Sequence, residues 1–477
     1  MKKSMFTTMP EWVSRKVELP VANVEPAALQ IKGLNDEQIA ACEDLLGRHE
    51  IISSAGTGKS TVLIARLVRI CENYPKAKIL MISFTKKAVG ELRERIGHLS
   101  NVDIVTFHSL AYKILKSADF DFTLDTSSTN QDRLLETFIG KRHISVAAIR
   151  KSLHDTQSAN KEVVAIRNAY LKYLHENHIV TFDTMQLFAF YMLLKDEKLL
   201  SKWQRRYDFI LVDEFMDVDA IQVKLIELLS EHSGNLTVCG DWKQAIYSFR
   251  YAVPNVMEKF AENAKTYDLT INYRSNSTIL GLANRLMNVD KPLVAAVNSE
   301  PIFPRYCVAQ NSLDEARTVA DEIENLHKNG ESFNNMAIIY RSSSMSKAIQ
   351  EELTARKIPF AGKSKVKSST ETSRKPRDTV KMMTIHASKG MEFKTVFIVG
   401  AQEGPIPSSR SMNLDEEKRL LYVAITRAKE RLFISYPRVS DNNRPNEVSR
   451  FLREAFSVSV RKEVTTYENN STATVKV

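Results

Sequence analysis

The chain lacks the cysteine patterns that hold small secreted proteins and zinc sites together. Its four cysteines, at positions 42, 71, 239 and 307, are far apart and form no Cys-x-x-Cys pair. This spacing argues against a disulfide framework and against a structural zinc site, and it fits a reducing compartment. We therefore expect a cytoplasmic protein, acting in the host cytoplasm if a phage encodes it.

The sequence also has no long apolar run and no internal repeat, and we expect no targeting segment. No run approaches the ~18 residues that a membrane span needs, so no membrane partner is expected. The first residues, Met1-Lys2-Lys3 and a polar stretch, lack the apolar core of a signal peptide. The length of 477 residues suggests about three domains. A formal net charge of +10 permits a polyanionic partner but does not require one.

The stretch Ile51–Thr61 is typical of a phosphate-binding loop between a strand and a helix. It reads Ile-Ile-Ser-Ser-Ala-Gly-Thr-Gly-Lys-Ser-Thr, and a helical apolar pattern follows. Glycines let backbone N–H groups turn towards a polyphosphate, and the helix N-terminus adds its positive end. Lys59 would reach the β- and γ-phosphates of ATP, and Ser60 would ligate Mg²⁺. A glycine-rich turn that binds nothing is the alternative. The predicted loop residues are Ala55, Gly56, Thr57, Gly58, Lys59, Ser60 and Thr61.

Two acidic residues follow a second buried strand. The run 209–212 is Phe-Ile-Leu-Val, and Asp213 and Glu214 come directly after it. Asp213 would hold Mg²⁺, and Glu214 would act as the general base that activates the attacking water. Such a pair is often only a solvated turn. Beside a phosphate loop, we interpret it as catalytic.

Polar and aromatic residues follow further predicted strands. Ligands bind at the carboxyl ends of strands in open α/β sheets, so these side chains are candidates for contact with nucleotide or nucleic acid. Phe84 and Phe107 could stack on bases, but from the residues alone a core position is favoured for both. Gln244 could sense the γ-phosphate, while Tyr247 and Phe249 face a nucleic-acid strand.

A glutamine upstream of the phosphate loop is a candidate adenine contact. Gln38 follows a plausible helix cap at Asn35 or Asp36. Its amide offers a donor and an acceptor, which matches the edge of adenine. A solvated glutamine is the alternative.

The order of the motifs along the chain is more specific than any one of them. This set resembles the UvrD/Rep/PcrA family of superfamily-one DNA helicases over residues 34–437. The motifs are Leu-Asn-Asp-Glu-Gln, Ala-Gly-Thr-Gly-Lys-Ser, Ser-Phe-Thr-Lys-Lys-Ala, Thr-Phe-His-Ser, Val-Asp-Glu-Phe-Met-Asp, Gly-Asp-x-x-Gln-x-Ile-Tyr-x-Phe-Arg, Asn-Tyr-Arg-Ser, Met-Thr-x-His-x-Ser-Lys-Gly-Met-Glu-Phe and Tyr-Val-Ala-Ile-Thr-Arg-Ala-Lys.

The resemblance implies an α/β fold with two RecA-like cores built on parallel sheets. ATP would bind in the cleft between the cores, and single-stranded DNA would run across them. A mostly helical insertion would interrupt the first core. The implied domains are 1–117 and 181–275 for the first core, 118–180 for the insertion, 276–360 and 379–456 for the second core, 361–378 for a short basic loop, and 457–477 for a mobile tail.

The resemblance also implies roles for individual residues. Gln38 and Tyr273 would hold adenine, the tyrosine by stacking, and Glu392 would contact the ribose. Gln244 would sense the γ-phosphate, and Arg274 and Arg427 would be arginine fingers. For Phe84 the resemblance reverses the preference for a core position. The implied DNA-contacting residues are Phe84, Thr85, Thr106, His108, Tyr247, Phe249, Arg250 and His386.

The implied activity is ATP- and Mg²⁺-dependent unwinding of DNA in replication, repair or recombination. The enzyme would move 3′→5′ on single-stranded DNA, act at junctions of single and double strands, meet replication or repair proteins, and work as a monomer. Two alternatives stay open, a translocase that strips proteins from DNA without unwinding and a DNA clamp that does not hydrolyse ATP. A helicase-nuclease is disfavoured, because no nuclease-sized segment follows Arg427.

Three features depart from the family pattern. Met216 stands where relatives usually have glutamine, and a thioether cannot replace the hydrogen bonds of an amide. Ser53 stands where the full phosphate-loop pattern has glycine. The short basic segment Ala361–Asp378 stands where relatives carry a large helical domain. We expect the first departure to weaken coupling and the third to leave a helicase without its second insertion.

Overall fold

The structure is a computed structural model that describes residues 33–97, 99–155, 160–296, 300–362, 378–440, 442–457 and 473–476. These residues divide into two compact units. The first unit contains residues 33–53, Lys59–Trp242 and Tyr247–Leu269; the second contains Ser54–Gly58, Lys243–Ile246 and the described residues from Thr270 onwards. Within the described ranges, no helix combines the length and apolarity needed to cross a membrane.

The first unit alternates strands and helices along the chain. Its elements are α1 (Asp36–Glu43), β1 (Arg48–Ser53), α2 (Lys59–Asn73), β2 (Ile79–Ile82), α3 (Lys86–Ile96), β3 (Val102–Val105), α4 (Phe107–Ser117), β4 (Thr123–Asp125), α5 (Ser128–Ile139), α6 (Val146–His154), α7 (Lys161–Glu176), β5 (Ile179–Thr181), α8 (Phe182–Lys195), α9 (Glu197–Gln204), β6 (Phe209–Val212), α10 (Ala220–Ser230), β7 (Leu236–Gly240), α11 (Val256–Ala261) and β8 (Lys265–Leu269).

Six of these strands form one parallel sheet in the order β3-β2-β6-β7-β1-β8. All residues of β2 and β6 are buried, as expected for apolar strands that are covered on both faces of a parallel sheet. The register pairs Ile82 with Val212 and Val212 with Val238, so these strands end at the same edge. Residues that follow the strands therefore meet at that edge.

The described part of the predicted insertion, residues 118–155 and 160–180, contains three helices and a feature that the sequence did not predict. Strands β4 and β5 pair in parallel, with Thr123 opposite Ile179 and Asp125 opposite Thr181. Each strand has only three residues, too few for a clear alternation of apolar and polar positions.

The second unit continues the alternation. Its elements are β9 (Ile271–Asn272), α12 (Ser277–Met287), β10 (Val294–Ala295), β11 (Arg305–Ala309), α13 (Ser312–Lys328), β12 (Met336–Tyr340), α14 (Lys347–Ala355), β13 (Phe360–Gly362), β14 (Val380–Thr384), α15 (Ile385–Ser388), β15 (Phe393–Ile398), α16 (Leu414–Ile425), β16 (Ala428–Pro437), α17 (Arg450–Ser457) and β17 (Ala473–Lys476).

The second unit has a seven-stranded sheet in the order β13-β14-β12-β15-β16-β11-β17. All described pairings in it are parallel except that of β17 with β11. Buried apolar residues pack on it in two clusters, one containing Leu421 and Ile425 of α16 and the other Ile323 of α13. Two α/β units with parallel sheets confirm the predicted fold class of two RecA-like cores.

The division between the units differs slightly from the predicted boundary after residue 275. It falls between Leu269 and Thr270. The reason is hydrogen bonding, because β9 pairs with β10 and the Ser275 hydroxyl donates to the carbonyl oxygen of Ala428 at 2.5 Å.

Several predicted segments fall partly outside the described residues. Residues 1–32 of the predicted first core and 363–377 of the predicted basic loop are among them. In the predicted mobile tail, the described residues are Ser457, which ends α17, and Ala473–Lys476, which form β17. Strand β17 pairs antiparallel with β11, whose edge offers backbone groups for a ladder. The mobility of the tail stays a prediction.

Candidate functional site

An ion cluster forms in the first unit where the buried strand β6 ends. The Lys59 Nζ atom lies 3.4 Å from Oδ1 of Asp213 and also pairs with Oε1 of Glu214. The Asp213 N–H donates to the carbonyl oxygen of Ile82 at 2.8 Å, which continues the ladder between β6 and β2. Burial alone would lower the pKa of Lys59, but the charges of Asp213 and Glu214 outweigh it and raise this pKa. The ammonium group therefore stays charged.

Glu214 adopts a left-handed backbone conformation with φ of 54°. Such a conformation costs a non-glycine residue about 1–3 kcal/mol and persists only where the surrounding structure holds it. Two bonds hold it: the Glu214 N–H donates to Oδ1 of Asp213 at 2.9 Å, and the Asp217 N–H donates to the Glu214 carbonyl oxygen at 3.0 Å. The tight turn lets the Glu214 carboxylate contact Lys59.

The loop Ser54–Gly58 has the backbone that its glycines predict. Gly56 and Gly58 have φ of 75° and 86°, in the region that favours glycine. The Tyr273 N–H donates to the Gly56 carbonyl oxygen at 2.8 Å. A Cβ atom at Gly56 would lie 2.6 Å from Nδ2 of Asn272 and 2.7 Å from Cβ of Arg274, so no side chain fits there.

Gln244 and Arg427 contact each other within the second unit. Nη2 of Arg427 donates to Oε1 of Gln244 at 3.0 Å. The Arg427 side chain also donates from Nε to the Val423 carbonyl oxygen at 2.9 Å and from Nη1 to that of Met391 at 3.0 Å. Arg427 is only 1% exposed, so these bonds fix the guanidinium in one orientation. The predicted sensor and one predicted arginine finger thus lie together.

Arg274, the other predicted finger, contacts the predicted ribose acid. Its Nε atom donates to Oε2 of Glu392 at 2.8 Å, and Nη1 donates to the Thr426 carbonyl oxygen at 3.3 Å. Burial alone would raise the pKa of Glu392, but Lys429 and Arg274 lower it, so this carboxylate is charged at neutral pH. Tyr273, the predicted adenine partner, is 45% exposed.

An aromatic face, made of Phe84, Tyr247, Phe249 and Arg250, lies on the first unit. The rings of Phe84 and Tyr247 are stacked, with centroids 6.0 Å apart and planes 8° apart, and Phe249 meets Tyr247 edge-on at 5.8 Å. The Arg250 guanidinium carbon lies 5.3 Å from the Tyr247 ring centroid. Phe249 is 59% exposed. Rings and a cation at a surface can stack nucleobases and attract phosphates.

The other predicted DNA contacts are spread over both units. Thr85 and Thr106 cap α3 and α4, accepting N–H groups from Ala88 at 3.1 Å and Ser109 at 3.2 Å. His108 lies in the first turn of α4. His386 lies in α15 of the second unit.

The family comparison matches nearly the whole described chain. A UvrD/REP helicase N-terminal domain model matches residues 34–139 and 121–265, and a UvrD-like helicase C-terminal domain model matches residues 267–367 and 362–438. The chain belongs to the UvrD-like helicases. It is therefore an enzyme of the DNA helicase class.

Individual relatives of this UvrD-like helicase differ in how much of them it covers. A probable DNA helicase of Mycoplasma pneumoniae is 30% identical, over 88% of this chain and 86% of its own length. DNA helicase II of Escherichia coli is 30% identical and ATP-dependent DNA helicase PcrA of Staphylococcus epidermidis 28% identical, each over 69% of this chain and 51% of its own length. The chain thus spans about half the length of these last two relatives.

Met216, where this helicase departs from the usual glutamine, is 2% exposed. Its sulfur accepts the Asp241 N–H at 3.5 Å. A Cβ atom at Gly240 would lie 3.1 Å from the same sulfur, so glycine there leaves room for methionine. A thioether is a weak acceptor and donates nothing. Methionine therefore accepts one hydrogen bond, as the oxygen of a glutamine amide would, but it lacks the N–H donors of that amide.

Gln38 has a local partner in α1. Its amide oxygen accepts the Asn35 N–H at 3.1 Å, while the Asn35 side chain accepts the Gln38 N–H at 2.8 Å, which makes a capping box. A carbonyl oxygen has a second lone pair, so the cap does not prevent a further contact. The adenine contact stays a prediction.

Two further candidate residues were missed by sequence reasoning. Asn272 is fully buried; its Oδ1 accepts N–H groups from Arg274 and Ser275, both at 2.8 Å, and its Nδ2 donates to the Ala55 carbonyl oxygen. Phe182 is 46% exposed and lies edge-on to His108 with centroids 5.7 Å apart. Asn272 lies inside a recognised motif, which was the available signal. For Phe182 the only signal in the sequence was its position after a capping threonine.

Replacing Phe249 by alanine should weaken binding of single-stranded DNA by about 1–3 kcal/mol, because one exposed stacking surface is lost. ATP hydrolysis without DNA should stay nearly unchanged. Fluorescence anisotropy with labelled oligonucleotides and a phosphate-release assay measure the two quantities. Phe303→Ala is the matched control, since this ring is 54% exposed and lies outside the aromatic face. Equal loss of DNA-free ATPase in Phe249→Ala would instead make this ring a structural residue.

Replacing Met216 by glutamine tests the missing amide. Glutamine would offer Asp241 a stronger acceptor and add a donor, so we expect a higher DNA-stimulated kcat or more distance moved per ATP. Stopped-flow translocation with parallel phosphate release measures both. Unchanged rate and distance would mean that the surrounding residues are adapted to methionine.

Proposed function

We propose that this UvrD-like helicase hydrolyses ATP with Mg²⁺, moves 3′→5′ along single-stranded DNA and unwinds duplex DNA in replication, repair or recombination. The ion cluster of Lys59, Asp213 and Glu214 carries the proposal. It brings a phosphate-binding cation, a metal-binding carboxylate and a candidate base to one edge of a parallel sheet, where ligands of such sheets bind.

The donor groups fit the proposed nucleotide and metal. Ser60 and Asp213 offer a hydroxyl and a carboxylate oxygen, and hard oxygen ligands suit Mg²⁺. The positive φ angles of Gly56 and Gly58 suit a loop whose N–H groups hold phosphate oxygens. When bound, Mg²⁺ would neutralise charge on the phosphates, and ATP would supply the free energy for movement.

Lys59 and Glu214 share an ion pair that nucleotide binding must change. Lys59 would exchange carboxylate partners for phosphate oxygens when it binds the nucleotide. Glu214 would then be able to accept the proton of a water molecule as general base, while Asp213 stays oriented by its backbone bond to Ile82.

The arginines would stabilise charge that develops on the γ-phosphoryl group. Arg427 is held by carbonyl and amide oxygens, which orient its guanidinium without adding a negative charge beside it. Its bond to Gln244 would report the state of the γ-phosphate to the segment that carries Tyr247 and Phe249, residues of the aromatic face.

The aromatic face supports binding of single-stranded DNA with little sequence preference. Every base has a face that can stack on Phe84, Tyr247 or Phe249, and unstacked bases are available only in single strands. Binding should weaken as salt rises, because Arg250 would displace counterions from phosphates.

Glu214→Gln should lower the DNA-stimulated kcat by about 10²–10⁴-fold, because the base is removed while the shape is kept. ATP binding, measured with a fluorescent analogue, should change little. Lys59→Ala should lose turnover and binding together. Glu227→Gln is the matched control, since Glu227 is exposed and its ion pair with Arg48, at 3.2 Å, lies outside the ion cluster. A Glu214→Gln variant that kept more than about a tenth of wild-type kcat would refute the assignment of the base.

Duplexes with 3′ or 5′ single-stranded tails test polarity and oligomeric state. We expect unwinding of short 3′-tailed duplexes only, with a single-turnover amplitude that grows linearly with bound monomer. The short segment Ala361–Asp378 stands where the family resemblance implies a large helical domain, so such a domain would not restrain a monomer here. A sigmoidal dependence on enzyme would contradict the monomer. ATP-driven removal of streptavidin from biotinylated single strands without unwinding would favour the protein-stripping translocase, and DNA binding without phosphate release the clamp.

A further inference from the structure

A chain of side-chain hydrogen bonds links His108 to the turn that follows the acidic pair. Nε2 of Gln186 lies 3.2 Å from Nδ1 of His108. Nε2 of Gln222 donates to Oε1 of Gln186 at 3.0 Å, and the Asp219 N–H donates to Oε1 of Gln222 at 3.2 Å. All four residues belong to the first unit, and the two glutamines lie on different helices, α8 and α10.

Each bond in this chain runs in the same sense. Each glutamine accepts through its amide oxygen and donates through its amide nitrogen, so the last donor meets a nitrogen of His108 that must accept. Only a neutral imidazole has such a nitrogen. Partial desolvation lowers the pKa of His108, which favours the neutral ring. Every donor from the Asp219 N–H to the Gln186 amide therefore meets an acceptor, and the last acceptor is the neutral His108 ring.

The two glutamines are largely removed from water. Gln186 is 4% exposed and Gln222 is 7% exposed. A buried amide that loses its partner keeps the cost of desolvation, so the chain resists being broken at one point. If the His108 ring moves, a shift of α10 would therefore cost less free energy than a broken hydrogen bond between the amides.

The backbone between Glu214 and Asp219 links this end of the hydrogen-bond chain to the acidic pair. Backbone bonds join Val218 to Phe215 at 3.3 Å and Asp217 to Glu214 at 3.0 Å. Oδ2 of Asp219 also contacts Nδ1 of His154 at 2.8 Å, which anchors the far side of the turn. Asp219 thus ends a short, internally bonded segment that begins at Glu214.

A purely structural helix cap would need fewer bonds than are present. The capping box of α10 requires the Asp219 side chain to accept the Gln222 N–H, at 2.9 Å, and the Gln222 oxygen to accept in return. The Gln222 nitrogen is not needed for the cap. Its bond to Gln186, and that of Gln186 to His108, extend the box towards a predicted DNA contact.

We propose that Gln186 and Gln222 are positioning residues that transmit DNA occupancy at His108 to the Glu214 turn. This inference rests on the proposed function, in which His108 contacts DNA and Glu214 is the base. The two glutamines would also attach the Glu214 turn through amide groups. The methionine at position 216 offers this turn no side-chain donor. DNA binding at His108 would change the ring position, and the amide pair would shift the segment that holds Glu214.

The test is the ratio of kcat with saturating single-stranded DNA to kcat without DNA. Gln186→Met keeps side-chain length and removes both amide bonds. We expect the ratio to fall about tenfold, within the usual range of coupling between sites. DNA-free kcat, the KM for ATP and the Kd for DNA should stay within about twofold.

Gln131→Met is the matched control. Gln131 is 6% exposed and donates to the Asp125 carbonyl oxygen at 2.9 Å, so its loss removes a buried amide bond in the same unit but outside the chain of bonds. Gln222→Met removes the same Gln186–Gln222 hydrogen bond from the α10 side. It provides the test of the inference if Gln186→Met does not fold. The double variant should lose no more stimulation than either single variant, because both break one path.

Three outcomes overturn the inference. These are an unchanged ratio in Gln186→Met or Gln222→Met, a fall in DNA-free kcat that matches the fall in stimulated kcat, and losses that multiply in the double variant. Failure of the proposed function looks different, because the wild-type protein itself would then show no stimulation by DNA.

Discussion

Three charged side chains share a mostly buried position at the edge of the first sheet. Removing an ion from water costs several kcal/mol unless a partner of opposite charge accompanies it. Lys59 must therefore meet Asp213 and Glu214, and the surrounding elements make that possible. The strand β6 ends at Val212 beside β7, β7 lies beside β1, and Lys59 opens the helix α2 that follows β1. This strand order brings Lys59 and the two acids to the same edge of the sheet.

The second unit positions its charges by a different means. Arg427 is held largely by backbone carbonyl oxygens, and Asn272 uses its amide to join the loop backbone to the residues around Arg274. Neutral partners orient a group without cancelling its charge. Arg427 is thus oriented by neutral groups, whereas Arg274 also pairs with the Glu392 carboxylate. The sequence motifs already contain these partners.

Apolar runs indicated the buried strands, and the order of the motifs implied, through the family resemblance, the fold class and the candidate roles of Lys59, Asp213 and Glu214. The runs at β2, β6 and β12 are buried along their whole length, as parallel strands require. The acids that follow β6 had to lie at its carboxyl end. Prediction was weaker for short elements, such as β4 and β5, because three residues carry no clear period.

The exposure of three phenylalanines could not be predicted from the sequence. Phe107 and Phe182 each follow a capping threonine, yet Phe107 is 3% exposed and Phe182 is 46% exposed. Phe84 lies between these extremes and stacks on Tyr247. The preference for a core position holds for Phe107, while Phe84 belongs to the surface face. Phe107 and Phe182 share residue type and local pattern, so only the packing of distant segments separates them.

The sequence by itself determined the α/β class, the positions of Lys59, Asp213 and Glu214, and the family, because these depend on local periodicity and on motifs that are contiguous in the chain. The tertiary structure decided which aromatic rings reach the surface and which amide groups meet. Gln186 and Gln222 are separated by 36 residues. No local pattern marks such a pair, because a hydrogen bond between distant segments depends on how helices pack as well as on residue type.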